Sequence, residues 1–453
     1  MNGRRAELVP RIGRRAWLAL GMNSLSCLGS GLTMPFLIIY LHEVRHIPLP
    51  TAGAVLGVIG VAGIVATPLS GPLVDRVGAL RAFVIGLVVG GLGIGAFALA
   101  TSPATALGCA IVYGSASGLM WNGFASLLVE LVPPAERGAV FALRYMTANV
   151  AFGAGALVSG LVTVSKTPGP FAVILLGDAL SYLLFAAALT VVGRRLLTSQ
   201  AGAAGAPPAT RERIGYRQVL GDRALLGALA VNSLIMVVAL SSTNSALPAF
   251  VTGEAGASTR VVGLAFALNI AVLVAIQLFG IRFVRGRRRT RVAALATVFF
   301  ALTWLLIVTP TALGLRGPGR DALIVAAMGV FAVGEALLSP TLPAVINDLA
   351  PDHLRGRYNA VFSLSYQIGP VAAPAIAGAA IGFGHAEPYL FGLAAACLLT
   401  GGLALRLGRI TPRHADYGTT EEDGPAGGGT VSPGPPDRSD GARGAATVRG
   451  ARA

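Results

Sequence analysis

Twelve long apolar stretches divide a chain of 453 residues, and they constrain its fold more than any single motif does. They cover about 16–41, 51–73, 81–100, 104–129, 138–163, 170–192, 223–249, 260–283, 291–312, 321–346, 357–382 and 387–408. A helix needs about 20 apolar residues to cross roughly 30 Å of hydrocarbon, and each stretch is long enough. Only 12% of the residues are charged, against about 25% in soluble domains, so a soluble surface of this size could not be covered. The reading is an all-α membrane protein with twelve transmembrane helices. Proline interrupts several spans, at Pro35, Pro68, Pro248, Pro340, Pro343, Pro370 and Pro374. Membrane helices tolerate this where neighbours satisfy the freed backbone groups. The 60 glycines suit helices that pack through small residues, because burial from water does not drive association in lipid.

The formal net charge of +15 could suggest nucleic acid, but its placement argues for topology. With the amino terminus inside, all of the 35 basic residues except Arg45, Lys166, Arg260, Arg316 and Arg320 fall on the cytoplasmic side. That asymmetry follows the positive-inside rule. It predicts a multi-pass protein of the cell membrane with both termini cytoplasmic, in contact with the lipid bilayer and without a nucleic-acid partner. Arg14-Arg15 before the first span resembles an export signal, yet the apolar run exceeds the 7–15 residues, roughly, of a signal core.

Cys27, Cys109 and Cys397 each lie inside an apolar run, so no disulfide framework is implied. The five histidines fall in connections or the tail, and no ligand spacing for a metal is present. No phosphate-binding loop and no nucleophile–base pair is found, which points away from an ATP-driven pump and from an enzyme. No cofactor is expected; an ion gradient would supply the energy.

The longest internal connection, 193–222, is rich in Gly, Ala and Pro and reads as a cytoplasmic linker. It separates six spans (16–192) from six (223–408), after a basic amino terminus (1–15) and before a disordered tail (409–453) too poor in apolar residues to bury a core. An internal repeat supports two pseudo-symmetric halves. Aligning Val129–Ala142 with Asn347–Ala360 brings Leu131, Pro133, Arg137, Gly138 and Ala142 onto Leu349, Pro351, Arg355, Gly356 and Ala360. Asn23-Ser24-Leu25 similarly meets Asn232-Ser233-Leu234, and Gly71 with Arg76 meets Gly280 with Arg285. Parallel six-span halves about an axis normal to the membrane are a transporter architecture.

The loop after the second span, Gly71-Pro-Leu73-Val-Asp75-Arg76-Val-Gly78, resembles the signature loop of the major facilitator superfamily, although Ala79-Leu80 stand where its basic pair would follow. The resemblance covers 16–408 and implies the major facilitator fold. Gly334-Glu335 to Pro340, Arg355-Gly356-Arg357-Tyr358-Asn359, Gly369-Pro370, and Arg144-Tyr145 with Asn149 resemble the twelve-span drug:proton antiporter branch. That branch implies a monomeric secondary transporter exporting small hydrophobic or amphipathic compounds against protons. Uptake of a nutrient or siderophore-like compound is the alternative, and a non-transporting scaffold or sensor is the alternative of another class.

Few residues could carry such chemistry. Asp178 and Glu335 are the acidic residues deep inside spans, about 12 Å and about 21 Å from the outer ends of theirs. A charged side chain at the bilayer centre costs about 2.5–3.5 kcal/mol and marks a functional candidate. Both are candidates for holding a proton or a cationic substrate, with Glu335 favoured because its span lines the central cavity in the relatives. Arg144, about 9 Å into its span, is a candidate for coupling or for a gating pair with Asp75 or Glu130. Gly71, Asp75, Arg76, Gly78 and Arg137 form the expected gating loop. Asn23, Trp121, Asn122, Asn149, Asn232, Tyr366 and Gln367 are candidates for lining a weakly polar cavity.

Overall fold

The computed structural model describes residues 12–133, 136–200, 219–284, 286–351 and 354–417, apart from the side chains of 71, 75, 121, 122, 192–200, 278 and 281. These belong to one compact unit, Met1–Gly418; the second, Thr419–Ala453, lies outside the described residues. So do most of the predicted linker and the segment before residue 12.

Twelve helices are long and apolar enough to cross a membrane. In chain order they are α1 (Arg14–Val44), α2 (Leu49–Val77), α3 (Ala79–Leu99), α4 (Pro103–Leu131), α5 (Arg137–Val162), α6 (Pro168–Gln200), α7 (Arg223–Glu254), α8 (Thr259–Val284), α9 (Arg289–Ala312), α10 (Pro318–Leu349), α11 (Arg355–Gly382) and α12 (Ala386–Ile410). No strand occurs among the described residues. Starts and stops have local causes. Ser102 caps α4 through a reciprocal pair with Thr105, and Asp222 accepts from the Ala224 and Leu225 amides to start α7. Gly78 ends α2 at φ +86°, a conformation few other residues adopt.

The connection between α6 and α7 defines a linker side, and the opposite ends of the spans form the far side. Large apolar chains such as Val65, Leu92, Val173 and Leu399 are exposed along the spans, as lipid contact requires. The interior is built from buried aromatics, including Phe83, Phe124 and Phe185 in mutual contact.

Regular helix fails within the spans α1, α7 and α10, among the described residues. α1 narrows at Met34–Phe36 and widens to a π turn over Tyr40–Val44. α7 carries π turns at Met236–Leu240 and Phe250–Glu254 and is interrupted at Asn244–Ser245. Pro248 explains the interruption: it has no N–H to donate to the Asn244 carbonyl one turn earlier, and its ring crowds that oxygen. α10 breaks at Ser339–Thr341 around Pro340.

The end of the last span departs from expectation. The tail was expected to be disordered from 409, but α12 continues to Ile410 and a short helix, α13 (Arg413–Tyr417), docks below it. Buried Asp416 accepts from the Thr290 amide at 2.9 Å and from Arg288 Nε at 2.7 Å, which caps the start of α9. The same hydrogen bond raises the Arg288 guanidinium above its usual range. Arg289 ties Asp348 of α10 at 2.5 Å and the Ala415 carbonyl at 2.9 Å. Nine tail residues cannot bury a core, yet one carboxylate matched to a helix start suffices to order them.

Candidate functional site

Two glycine seams join the halves. In the first, α2 lies on α11: a methyl group on Gly53 would stand 2.9 Å from the Gly378 Cα and would also strike the Pro374 carbonyl. In the second, α5 lies on α8: a methyl on Gly160 would stand 2.7 Å from the Gly263 Cα. There Thr259 Oγ1 donates to the Gly160 carbonyl at 3.2 Å. Gly160 and Gly378 are equivalent positions of the repeat alignment, so the seams are the same contact made twice. Both lie toward the far side. Along the same helices toward the linker side, Tyr145 (49%) and Leu364 (51%) are exposed. The close backbone approaches between the halves at these glycines thus lie toward the far side.

A polar cluster closes the far side between the ends of α1 and α7. Lys166 Nζ is 2.5 Å from Glu43 Oε2 and donates to the Thr252 carbonyl at 3.4 Å. The Thr252 hydroxyl donates to Glu43 Oε1 at 2.5 Å. Glu43 and Thr252 are equivalent when Asn23 is set on Asn232. Sequence reasoning missed this cluster because both residues sit at span ends, where a charge or a threonine is unremarked. Extending the repeat by twenty residues would have paired them.

Behind this seal lies a cavity of about 290 Å³ shared by both halves. Met34, Ile59 and Phe152 give it apolar walls; Ser117, Asn244 and Gln367 give it polar ones. Among the described residues that line it, none is charged. Glu335, on α10, is half-buried and does not line the cavity; Asn269 Nδ2 donates to its Oε2 at 3.4 Å. It is close enough to act electrostatically on Tyr145 of the other half, as is Tyr366. A carboxyl and two phenols from both halves are thus within electrostatic reach of one another.

Asp178 is placed differently. It is fully buried within the first half, where the Thr33 hydroxyl donates to its Oδ2 at 2.6 Å. Beside it, Ser30 meets the Tyr182 hydroxyl at 2.9 Å, and Tyr182 meets Tyr113 at 3.3 Å. This network binds α1, α4 and α6 together. Arg144 also turns into its own half: its guanidinium lies over the Phe124 ring, 4.6 Å from the centroid.

Of the seven expected cavity residues, Gln367 lines the cavity and Tyr366 is exposed beside it, in edge contact with Phe362. Asn149 lies on the inter-half face of α5 and donates to the Tyr145 carbonyl of its own helix at 2.8 Å. Two expectations are corrected. Asn23 is buried with its amide turned to Cys27, and Asn232 donates to Ser365 at 2.7 Å, tying α7 to α11. Each contact lies within one half, and neither residue is among those lining the cavity. The side chains of Trp121 and Asn122 lie outside the described residues, as do those of Gly71 and Asp75 in the expected gating loop. Arg76 is exposed, Gly78 forms the turn, and Arg137 grips the Val129 and Val132 carbonyls at the end of α4. In their place the structure brings forward Ser117, Ser241, Asn244 and Ser245.

The family described as Major Facilitator Superfamily matches residues 19–315 and 229–439. An uncharacterized MFS-type transporter of Bacillus subtilis (strain 168), YqjV, is 23% identical over 83% of this chain and 88% of its own length. A Na(+), Li(+), K(+)/H(+) antiporter of Planococcus maritimus is 26% identical over 76% of this chain and 84% of its own. Among solved structures, an auto-inhibited POT family peptide transporter has a TM-score of 0.68 at 15% identity, covering 91% of this chain and 99% of that one. The nucleoside transporter NupG has a TM-score of 0.65 at 12% identity, covering 87% and 99%.

Proposed function

The chain belongs to the Major Facilitator Superfamily, and from that premise we propose that it exports small hydrophobic or amphipathic organic compounds in exchange for protons, as a monomer in the cell membrane. It is a membrane transporter with twelve spans, and its cavity between two halves suits alternating access around a central site. The observation that carries the finer reading is the contrast between a cavity whose described lining residues carry no charge and one carboxyl, Glu335, held by Asn269 in the second half within electrostatic reach of Tyr145 in the first. Such a wall binds an apolar body with a few hydrogen bonds. Glu335 supplies a single site for which a proton and a cationic substrate compete, and competition for one site is what exchange requires. The resemblance of the sequence to an antiporter that exchanges monovalent cations for protons supports proton coupling. It also favours a second reading, in which Na(+) or K(+) is the exchanged ion.

Proteoliposomes with an imposed pH gradient separate these. A lipophilic cationic dye should be moved uphill, and a protonophore should abolish that movement. Glu335→Gln should remove proton-driven movement while the protein remains folded by size-exclusion profile. Proton release provoked by Na(+) or K(+) with no dye movement would replace the first reading by the second. Full dye transport by Glu335→Gln would take the carboxyl out of the mechanism.

A further inference from the structure

The interruption of α7 lies in the wall of the cavity. At Asn244–Ser245 the helix tightens into short turns, in which the Asn244 amide bonds back to the Ser241 carbonyl and the Ser245 amide to the Ser242 carbonyl, both at 3.2 Å. The Leu240 carbonyl, deprived of its usual backbone donor, receives the Thr243 hydroxyl at 2.7 Å and the Asn244 side-chain Nδ2 at 3.4 Å. That second bond fixes the orientation of the Asn244 amide: turning it over would set its oxygen against the Leu240 oxygen. The nitrogen is therefore tethered to the break, and the oxygen is turned away from it.

Two acceptors result. Asn244 Oδ1 is shielded and has no hydrogen-bond partner. Its backbone carbonyl has lost its helical donor because Pro248 occupies the donating position. A buried acceptor without a donor costs about 1–3 kcal/mol, and Asn244 lies in the wall of the cavity shared by the halves, with Ser241 and Ser245 on the same helix and Gln367 across from it. Interrupted membrane helices expose backbone groups in this way where they line a cavity.

We infer that the α7 break is a ligand subsite in which Asn244 accepts a hydrogen bond from an N–H or O–H group of the transported compound. The inference rests on the transport reading above and adds to it a rule of substrate choice. The apolar walls formed by Met34, Ile59 and Phe152 hold the body of the compound without discriminating, and Asn244 selects compounds that carry a donor. A site built to bond a donor rejects the analogue lacking it, because its acceptor is then left unpaired.

The test compares two cationic probes in proteoliposomes containing the full chain. Ethidium carries amine N–H donors; tetraphenylphosphonium carries none. Asn244→Leu should slow ethidium transport about tenfold, the worth of one hydrogen bond to a buried acceptor, and change tetraphenylphosphonium transport less than about twofold. Asn244→Gln, which keeps an uncharged amide with both a donor for the Leu240 carbonyl and an acceptor, should retain ethidium transport and shows that the position tolerates substitution. Equal effects of Asn244→Leu on both probes, or no effect on either, would overturn the subsite while leaving the export reading intact. Failure of the unmodified protein to move either probe overturns the export reading, and the subsite falls with it.

Discussion

Asp178 and Glu335 are both carboxyls inside apolar helices, and their neighbours separate their roles. Depth along a span is readable from sequence at about 1.5 Å per residue, so both were legible as mid-membrane acids. Which way each side chain faces depends on helix rotation, and a span that is apolar all round carries little signal for that; the low amphipathicity of α6 is such a case. The structure sets Glu335 beside Asn269, within electrostatic reach of Tyr145 of the other half, and Asp178 against Thr33 of its own. The Thr33 bond joins the Asp178 carboxyl to α1, with Ser181 of its own helix beside it. Thr33→Val keeps the shape of the side chain and removes that donor, so it should destabilise the protein by about 1–3 kcal/mol. Thermal unfolding of the purified protein in detergent should show a midpoint several degrees lower, while Glu335→Gln leaves it nearly unchanged. An unaltered midpoint in Thr33→Val would mean that the carboxyl does not bind α1 to α6.

The elements themselves were the most legible level, because each span announces itself by length and composition without needing a phase. Predicted and observed bounds mostly differ by a few residues; α6, expected to end at 192, runs on to Gln200, and α7, expected to end at 249, continues to Glu254. The α7 extension is a π turn, whose extra residue per turn no hydropathy pattern marks. The break at Asn244–Ser245 was hidden for a related reason. The sequence there, Ser-Ser-Thr-Asn-Ser, contains neither glycine nor proline; the cause, Pro248, lies one turn downstream. The seams were half-visible. Glycine enrichment predicted close packing, but only the repeat alignment identifies Gly160 and Gly378 as partners in one design. Each touches backbone of the opposite half, so there is no flexible side chain to yield. Gly160→Val and Gly378→Val should therefore weaken far-side packing and shift the population toward a state open on that side. In a background without Cys27, Cys109 and Cys397, a cysteine at Ser241 should then react faster with a membrane-impermeant thiol reagent added from the far side. Gly392→Val, where a side chain meets nothing, should leave the rate unchanged; equal rates in all three would remove the seams from gating.

For the whole molecule, the two seams and the Glu43–Lys166–Thr252 cluster act at the same end, and the cavity lies just behind them. Glu43 and Thr252 end equivalent helices of the two halves, so their contact reports directly on whether those halves are closed on the far side. The ion pair is part-exposed, with side chains 32% and 17% accessible for Lys166 and Glu43, and pairs of that kind contribute little to stability, about 0–1 kcal/mol. Weakness suits a contact that must break in every cycle: a lock worth many kcal/mol would hold the molecule in one state. Holding it shut covalently should stop transport without harming the fold. With Glu43→Cys and Thr252→Cys in the cysteine-free background, a short thiol-specific cross-linker should join α1 to α7 and abolish dye movement. A cleavable linker should restore it on cleavage. Either cysteine alone, treated identically, should transport at its untreated rate. If the cross-linked protein continued to transport, the far side would not need to open between the ends of α1 and α7, and the compound would have to leave by a route that the two seams do not guard.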